Sequence, residues 1–222
     1  NVCRHRSDKE VGIFSLEMSK EQLVTRMLSS ESLVESDKLM KGTIQNEDWV
    51  KLAKGAERLS NMNIYLDDTA GITVVQMKAK LRRMKNLGLV VIDYLQLMSS
   101  GRRIDNRVNE ISEMTRQLKL MAKELNVPVI TLSQLSRSVE SRTDKRPVLS
   151  DLRESGSIEQ DADIVMFLYR DGYYNKEKCP DQTLAECIIA KNRHGETRTV
   201  PLRWNGQYTL FLTDDRLTEQ QN

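Results

Sequence analysis

LGLVVID, residues Leu87 to Asp93, is an apolar run rich in β-branched residues that ends in a carboxylate. A run that is apolar throughout is typical of a central strand in a parallel sheet, because helices cover both faces of such a strand. In open parallel sheets, ligands bind outside the carboxyl ends of the strands. The segment therefore predicts an α/β fold with Asp93 at the ligand-binding edge.

Similar apolar runs recur along the chain, separated by longer stretches in which apolar residues follow a helical spacing. This alternation predicts a largely parallel central sheet with covering helices. The predicted strands are Val11 to Leu16, Asn63 to Leu66, Leu87 to Asp93, Val127 to Leu132, Ile164 to Tyr169 and Ala185 to Lys191. The predicted helices are Lys20 to Ser30, Glu47 to Leu59, Val74 to Lys85 and Val108 to Leu125, with Ser19 and Asn46 as N-caps.

The C-terminal part of the chain has a different pattern. Two short strands, Thr197 to Trp204 and Tyr208 to Thr213, flank Asn205-Gly206, a dipeptide that favours a tight hairpin turn. We therefore expect a C-terminal antiparallel hairpin that extends the sheet. The polar stretches Ser99 to Asn106, Ser136 to Pro147 and Asp171 to Gln182 are predicted to be exposed loops.

Composition limits the class of protein. With 222 residues, of which 39% are hydrophobic and 30% charged, the chain is expected to fold as a single domain over residues 1–222. Its apolar runs are too short for a membrane-spanning helix, and its first residues lack the apolar core of a signal peptide. The three cysteines lack paired spacing, which predicts a reducing, cytoplasmic setting without a zinc site. A net charge of +2 does not by itself indicate nucleic-acid binding.

Two further predicted strands run into residues that suit phosphate chemistry. The first strand leads to Glu17, whose carboxylate could orient and deprotonate a water molecule that attacks a γ-phosphate. The fourth leads to Gln134, whose amide could contact the γ-phosphate and sense its loss. Each residue also has an ordinary structural explanation when taken singly. Asp93 could cap a loop, Glu17 could interact with a helix dipole, and Gln134 could be a plain loop residue.

Four segments, in this order, resemble the motifs of the C-terminal motor domain of the DnaB family of replicative helicases. They are FSLEMS from Phe14, VIDYLQLM from Val91, LSQLSR from Leu132 and LRESGSIEQDADIVMFLYRD from Leu152. The resemblance extends over nearly the whole chain. It implies a RecA-like fold, a homo-hexameric ring around single-stranded DNA, and 5′-to-3′ unwinding driven by ATP with Mg²⁺. It also implies a primase and a helicase loader as partners.

The resemblance implies a role for each of the residues at the predicted strand ends. Glu17 matches the family's catalytic glutamate, Asp93 its Walker B aspartate acting on magnesium through water, and Gln134 its γ-phosphate sensor. Lys191 and Arg193 match cations that reach the nucleotide of a neighbouring subunit. Side chains two apart on a strand face the same side, so these two can converge on one phosphate. Without the resemblance, the pair would be interpreted as part of a solvated basic edge strand.

For DNA, the resemblance implies a loop that faces the central channel and contains Arg153, Glu154 and Gly156. In the family, the phosphates of the strand are held there by backbone amides and an arginine. A small loop that carries a glycine permits close approach to a phosphate. Aromatic residues are scarce in the adjoining loop sequence, so we expect contacts to the DNA backbone that do not depend on base sequence.

One motif of an ATPase of this class is not found in the sequence. The 222 residues contain no glycine-rich loop ending in Gly-Lys-Thr or Gly-Lys-Ser, whose amides wrap the phosphates. In the family this loop lies upstream of FSLEMS, so we expect an N-terminally truncated domain that is inactive alone. Two alternatives remain open: another RecA-like ATPase, such as a recombinase paralogue or a clock-type ATPase, or a non-catalytic RecA-like module that docks a helicase loader or primase.

Overall fold

A computed structural model describes residues 1–152, 156–177 and 179–214 of the chain. The strands are β1 Glu10–Ser15, β2 Ile64–Asp67, β3 Leu87–Asp93, β4 Val129–Thr131, β5 Ile164–Tyr169, β6 Leu184–Asn192, β7 Arg198–Asn205 and β8 Leu210–Thr213. The helices are α1 Val2–His5, α2 Lys20–Ser32, α3 Ser36–Lys41, α4 Asn46–Ser60, α5 Val74–Leu81, α6 Arg107–Leu125, α7 Ser138–Ser141, α8 Gly156–Asp161 and α9 Asp171–Tyr174. Short 3₁₀ turns lie at Leu95–Leu97 and Leu149–Asp151.

The first sheet is parallel, with strand order β2-β1-β3-β4. Phe14 of β1 pairs with Ile92 of β3, which in turn pairs with Thr131 of β4. Phe14 and Ile92 lie in one apolar core with Met77 of α5 and Met114 of α6. These helices therefore cover one face of the sheet, as the alternating pattern predicted.

The second sheet is antiparallel, with strand order β5-β6-β7-β8. The predicted α/β fold is confirmed, but its antiparallel part is larger than the hairpin that we expected, because β5 and β6 pair with each other. β5 is apolar on both faces, yet only alternate residues are buried, and Leu168 on the other face is 60% exposed. An apolar run of this length does not distinguish a parallel strand from an antiparallel one.

The C-terminal hairpin is present, but its turn differs from the expected two-residue type. β7 and β8 pair at Asn205 and Leu210, so the turn covers the four residues between them. The side chain of Asn205 accepts a hydrogen bond from the backbone N–H of Gln207 at 3.2 Å. Thr209 takes the positive φ of 51°. The turn then packs on the α2–α3 junction, where the Ser36 N–H donates to the Gln207 carbonyl at 2.9 Å.

All four predicted helices are present, with local differences. Ser19 caps α2 as predicted and accepts from the Gln22 N–H at 3.3 Å. The predicted cap at Asn46 is wrong by one residue, because Gln45 takes the extended N-cap conformation. Helices α1, α3, α7, α8 and α9 were not predicted, since four to six residues are too few to establish a helical period. Of the described helices, none combines the length and the apolar character needed to cross a membrane.

Candidate active site

Glu17 and Gln134 lie just beyond the carboxyl ends of β1 and β4, and Asp93 is the last residue of β3, the strand between them. Ser15, the last residue of β1, pairs with Asp93, and the N–H of Leu16 donates to the Asp93 carbonyl at 2.7 Å. On the other side of β3, the N–H of Leu132 donates to the Ile92 carbonyl at 2.9 Å. The structure thus brings the three predicted residues to one edge of the sheet.

Glu17 lies on a tight turn between β1 and α2. Ser15 is only 2% exposed, and its hydroxyl donates to the Met18 carbonyl at 2.8 Å. Ser19 then caps α2. These contacts hold the backbone on both sides of Glu17, while its own side chain stays exposed.

Asp93 lies close enough to Glu17 for the charge of Glu17 to affect it. Burial raises the pKa of the Asp93 carboxyl, the negative charge of Glu17 raises it further, and Arg26 on α2 opposes both. Both effects disfavour the charged form of Asp93, which a bound cation would stabilise. Magnesium binds proteins through one or two carboxylates together with substrate phosphates, so the donor set fits that ion. Within the described residues, no group of three or more His, Cys, Asp or Glu is arranged to hold a metal directly.

Gln96 links the Asp93 strand to the Gln134 segment. It lies in the 3₁₀ turn after β3, where its side-chain amide donates to the Ser133 hydroxyl at 2.9 Å. Its side-chain oxygen accepts from the backbone N–H of Gln134 at 3.3 Å. Gln134 keeps its own side chain exposed. Sequence reasoning missed Gln96, although it lies within the quoted motif VIDYLQLM and carries both a donor and an acceptor.

Lys191 and Arg193 lie away from this edge. Arg193 lines one open cleft together with Val127 and Pro128, which precede β4, whereas Gln134 follows β4. Arg193 therefore lies near the amino end of β4, whereas Gln134 follows the carboxyl end of that strand.

The alternative interpretation of Lys191 as part of a solvated edge strand is wrong. β6 lies between β5 and β7, so it is an interior strand of its sheet. Lys191 donates to the carbonyl oxygens of Glu159 at 2.5 Å and Ala162 at 2.8 Å. Arg193 donates to the Gln160 carbonyl at 3.2 Å, so both cations converge on the end of α8.

The predicted DNA loop lies only partly within the described residues. Arg153 and Glu154 lie outside them. Gly156 begins α8, and a Cβ built there would come no nearer than 4.0 Å to the Gln160 side chain. The packing that is described therefore does not itself require glycine at this position.

In the predicted exposed loop Ser136 to Pro147, two cations contact side chains of the second sheet and of α9. Arg146 forms a bidentate ion pair with Glu186 of β6, both contacts at 2.5 Å, and lies over the ring of Tyr169. Lys145 lies over the ring of Tyr174 at 5.9 Å. Aromatic residues are scarce in the loop sequence itself, and the rings that its cations contact belong to β5 and α9. Burial and a hydrogen bond to Asp171 raise the pKa of Tyr169 to about 12.

A parallel sheet with acidic and amide residues at its carboxyl edge, followed by an antiparallel sheet, defines a RecA-like ATPase domain. Residues 1–213 match the family model described as the DnaB-like helicase C terminal domain, and the chain belongs to this family.

Known proteins of this family are similar to the chain in both sequence and structure. It is 54% identical over 215 residues to the replicative DNA helicase DnaC of Bacillus subtilis, an alignment covering 95% of the chain and 47% of that protein. The same identity and coverage hold for the replicative DNA helicase DnaB of Geobacillus stearothermophilus. The chain thus spans about half the length of these relatives.

Two solved structures superpose closely on the chain. One of them, an ATPase domain, matches with a TM-score of 0.89 at 44% identity, covering 94% of this chain and 76% of that one. The other, a DnaB-like replicative helicase solved in a study of its interactions with primase, matches with the same TM-score and identity over 94% of this chain and 51% of that one. At this level of identity, the likeness extends to the fold and to the family.

Proposed function

We propose that the chain is the motor domain of a hexameric, ATP-dependent replicative DNA helicase that unwinds duplex DNA in the 5′-to-3′ direction. The observation that carries this proposal is the position of Glu17, Asp93 and Gln134 at the carboxyl ends of three adjacent parallel strands. Such an edge is where open α/β sheets bind their ligands. Membership of the helicase family supports the same function.

The chemistry of each residue follows from its surroundings. ATP and Mg²⁺ would supply the bond to be broken and the cation that neutralises its phosphates. Asp93 would hold the ion through water, and Glu17, exposed beside it, would orient a second water molecule and accept its proton. The amide of Gln134 can both donate and accept, so it would contact the γ-phosphate and move when that phosphate leaves.

A substitution of Glu17 tests the catalytic role. In the full-length protein, Glu17→Ala should retain ATP binding but lose about two to four orders of magnitude in hydrolysis, because the attacking water loses its base. Glu21→Ala, at an exposed acid on the first turn of α2, is the matched control and should keep wild-type turnover. Unchanged turnover in Glu17→Ala would reject the catalytic role of Glu17, whereas a wild-type full-length protein without turnover would favour the non-catalytic module that docks a loader or primase.

Lys191 and Arg193 are assigned to the site of a neighbouring subunit, since they lie away from the Glu17 edge of their own chain. A homo-hexameric ring supplies such a neighbour to every subunit. Arg193→Ala should therefore lower hydrolysis by the assembled protein and leave ADP binding by a single subunit unchanged.

Mixed rings test whether Arg193 acts on a neighbour. Arg193→Ala subunits mixed with Glu17→Ala subunits should recover part of the hydrolysis, because each supplies the group that the other lacks. Arg198→Ala, at an exposed arginine of β7, serves as control and should behave as wild type. A complete lack of recovery would contradict action in trans.

DNA contact is assigned to the loop that contains Arg153, Glu154 and Gly156, where backbone amides and Arg153 would hold the phosphates of single-stranded DNA. Phosphate contacts carry no sequence information and weaken as salt is added. Binding that depended strongly on base sequence would contradict this assignment. A primase and a helicase loader are proposed as protein partners in the cytoplasm, and one structural relative was solved in a study of its interactions with primase.

A further inference from the structure

Helix α8 ends in a group of acceptors that hold the two cations described above. Lys191 donates to the carbonyl oxygens of Glu159 and Ala162, and Arg193 donates to that of Gln160. The last carbonyls of a helix have no partner within the helix and carry partial negative charge, so they favour cations. Asp163 lies two residues beyond the end of α8 and forms an ion pair with Arg193 at 3.2 Å.

Asp163 contacts Arg193 through both its side chain and its backbone. The backbone N–H of Arg193 donates to the Asp163 carbonyl at 2.8 Å. The Asp163 carboxylate also accepts a hydrogen bond from Lys119 of α6. Lys119 and, to a smaller extent, Arg193 lower the pKa of this carboxyl, so it remains charged at neutral pH. One carboxylate thus joins the arginine to α6.

α6 provides a rigid base for this arrangement. Its residues Ser112 and Thr115 hydrogen-bond to the side chains of Ser157 at 2.9 Å and Asp161 at 2.6 Å, which lie on α8. The opposite side of α6 contributes Met114, fully buried in the main core. These two hydrogen bonds thus link α8 to a helix that is packed in the main core.

These contacts do not occupy all the N–H donors of Lys191 or Arg193. Lys191 has three N–H donors and makes two hydrogen bonds to the described residues, and the Arg193 guanidinium has five donors. The Arg193 side chain is 47% exposed. Donors therefore remain for an external phosphate, while the direction of both side chains is set by α8 and Asp163.

We propose that Asp163, together with the final carbonyls of α8, is a positioning residue that aims Arg193 and Lys191 at the nucleotide of the neighbouring subunit. This inference rests on the trans role proposed for Arg193. An exposed ion pair contributes little to stability, so its contribution here is to geometry. Misplacement of a catalytic group by about 1 Å can cost up to about a hundredfold in rate.

The test compares two aspartates in the full-length, assembled protein: Asp163, which pairs with Arg193, and Asp105, which pairs with Arg103 before α6. Asp163→Ala should lower kcat for ATP hydrolysis by roughly tenfold, with KM for ATP nearly unchanged, because Arg193 loses its aim but the subunit's own site is intact. Asp105→Ala removes an exposed ion pair that involves neither α8 nor the two cations, so its kcat should match wild type. Native mass spectrometry checks that both variants form rings. If Asp163→Ala fails to assemble, Asp163→Asn, which keeps the shape of the side chain, replaces it.

Mixed rings distinguish positioning from a purely structural effect. Asp163→Ala subunits keep Glu17, so mixing them with Glu17→Ala subunits should restore hydrolysis above the sum of the separate rings. Two results would overturn the inference while leaving the proposed function intact. One is a wild-type kcat in Asp163→Ala when Arg193→Ala is impaired, and the other is that the mixed rings hydrolyse no more ATP than the sum of the separate rings. Wild-type kcat in Arg193→Ala would instead reject the trans role, and the inference with it.

Discussion

Asp151 joins the segment that follows Gln134 to the turn that precedes the proposed DNA loop. It is 3% exposed, and its carboxylate accepts from Arg142 at 3.1 and 2.8 Å and from the Val148 N–H at 2.8 Å. Its own carbonyl accepts from the N–H of Ser136 at 2.9 Å. One buried residue thus closes the base of an otherwise polar loop.

Removing the Arg142 guanidinium should reveal how much stability is lost when the buried Asp151 carboxylate has no charged partner. Arg142→Ala should lower the free energy of unfolding by about 2–3 kcal/mol, because Asp151 would remain buried without its charged partner. Urea denaturation followed by circular dichroism measures the change. Arg137→Ala, at an exposed arginine of the same loop, should change stability by less than about 0.5 kcal/mol. Equal effects of the two substitutions would contradict the role of the pair.

At the scale of elements, the packing of α2 against α4 depends on a close approach at Gly55. A Cβ at this position would lie 2.9 Å from the Ser32 Cβ and 3.3 Å from its backbone N and Cα. Gly55 is also buried in the middle of α4. Glycine there costs helix propensity, but it lets the two helices meet.

Gly55→Ala separates these two effects. Propensity alone would stabilise α4 by about 1 kcal/mol, whereas the contact with Ser32 should reverse the sign and destabilise the chain by about 1–2 kcal/mol. Ala56→Gly, at the exposed neighbouring position, measures the effect of helix propensity alone, because this position does not make the contact with Ser32. Thermal denaturation of both variants gives the comparison. A stabilised Gly55→Ala would show that the helices can move apart freely.

At the scale of the whole molecule, the described edge offers two carboxylates, an amide and Arg26 to a triphosphate. Two carboxylates repel phosphates unless a cation or a cradle of backbone amides compensates. The 222 residues contain no glycine-rich phosphate loop. The chain alone is therefore expected to bind nucleotide poorly.

Isothermal titration of the 222-residue chain with ATP and Mg²⁺ measures this directly. The expected dissociation constant is weaker than about 1 mM, which corresponds to less than about 4 kcal/mol of binding free energy. The full-length protein, titrated under the same conditions, is the control and should bind at least about tenfold more tightly. Micromolar binding by the chain alone would mean that the described residues hold the phosphates unaided.

Local sequence patterns determined most of the strands and the polar residues at their carboxyl ends. β3 and β5 have the predicted bounds, since apolar runs bounded by polar residues mark a buried strand whatever it pairs with. Glu17, Asp93 and Gln134 could be placed at one edge because parallel strands present their carboxyl ends together. The family resemblance rested on motifs within single segments and is confirmed.

Only the tertiary structure decided which distant segments meet. The antiparallel pairing of β5 with β6, the bridge from Gln96 to Gln134 and the contacts of Asp163 with Lys119 and Arg193 each join residues far apart or in unpredicted turns. Residue types and their local period indicate whether a segment is buried, but they do not indicate which segment it packs against. Strand pairing and side-chain partners depend on the packing of the whole chain.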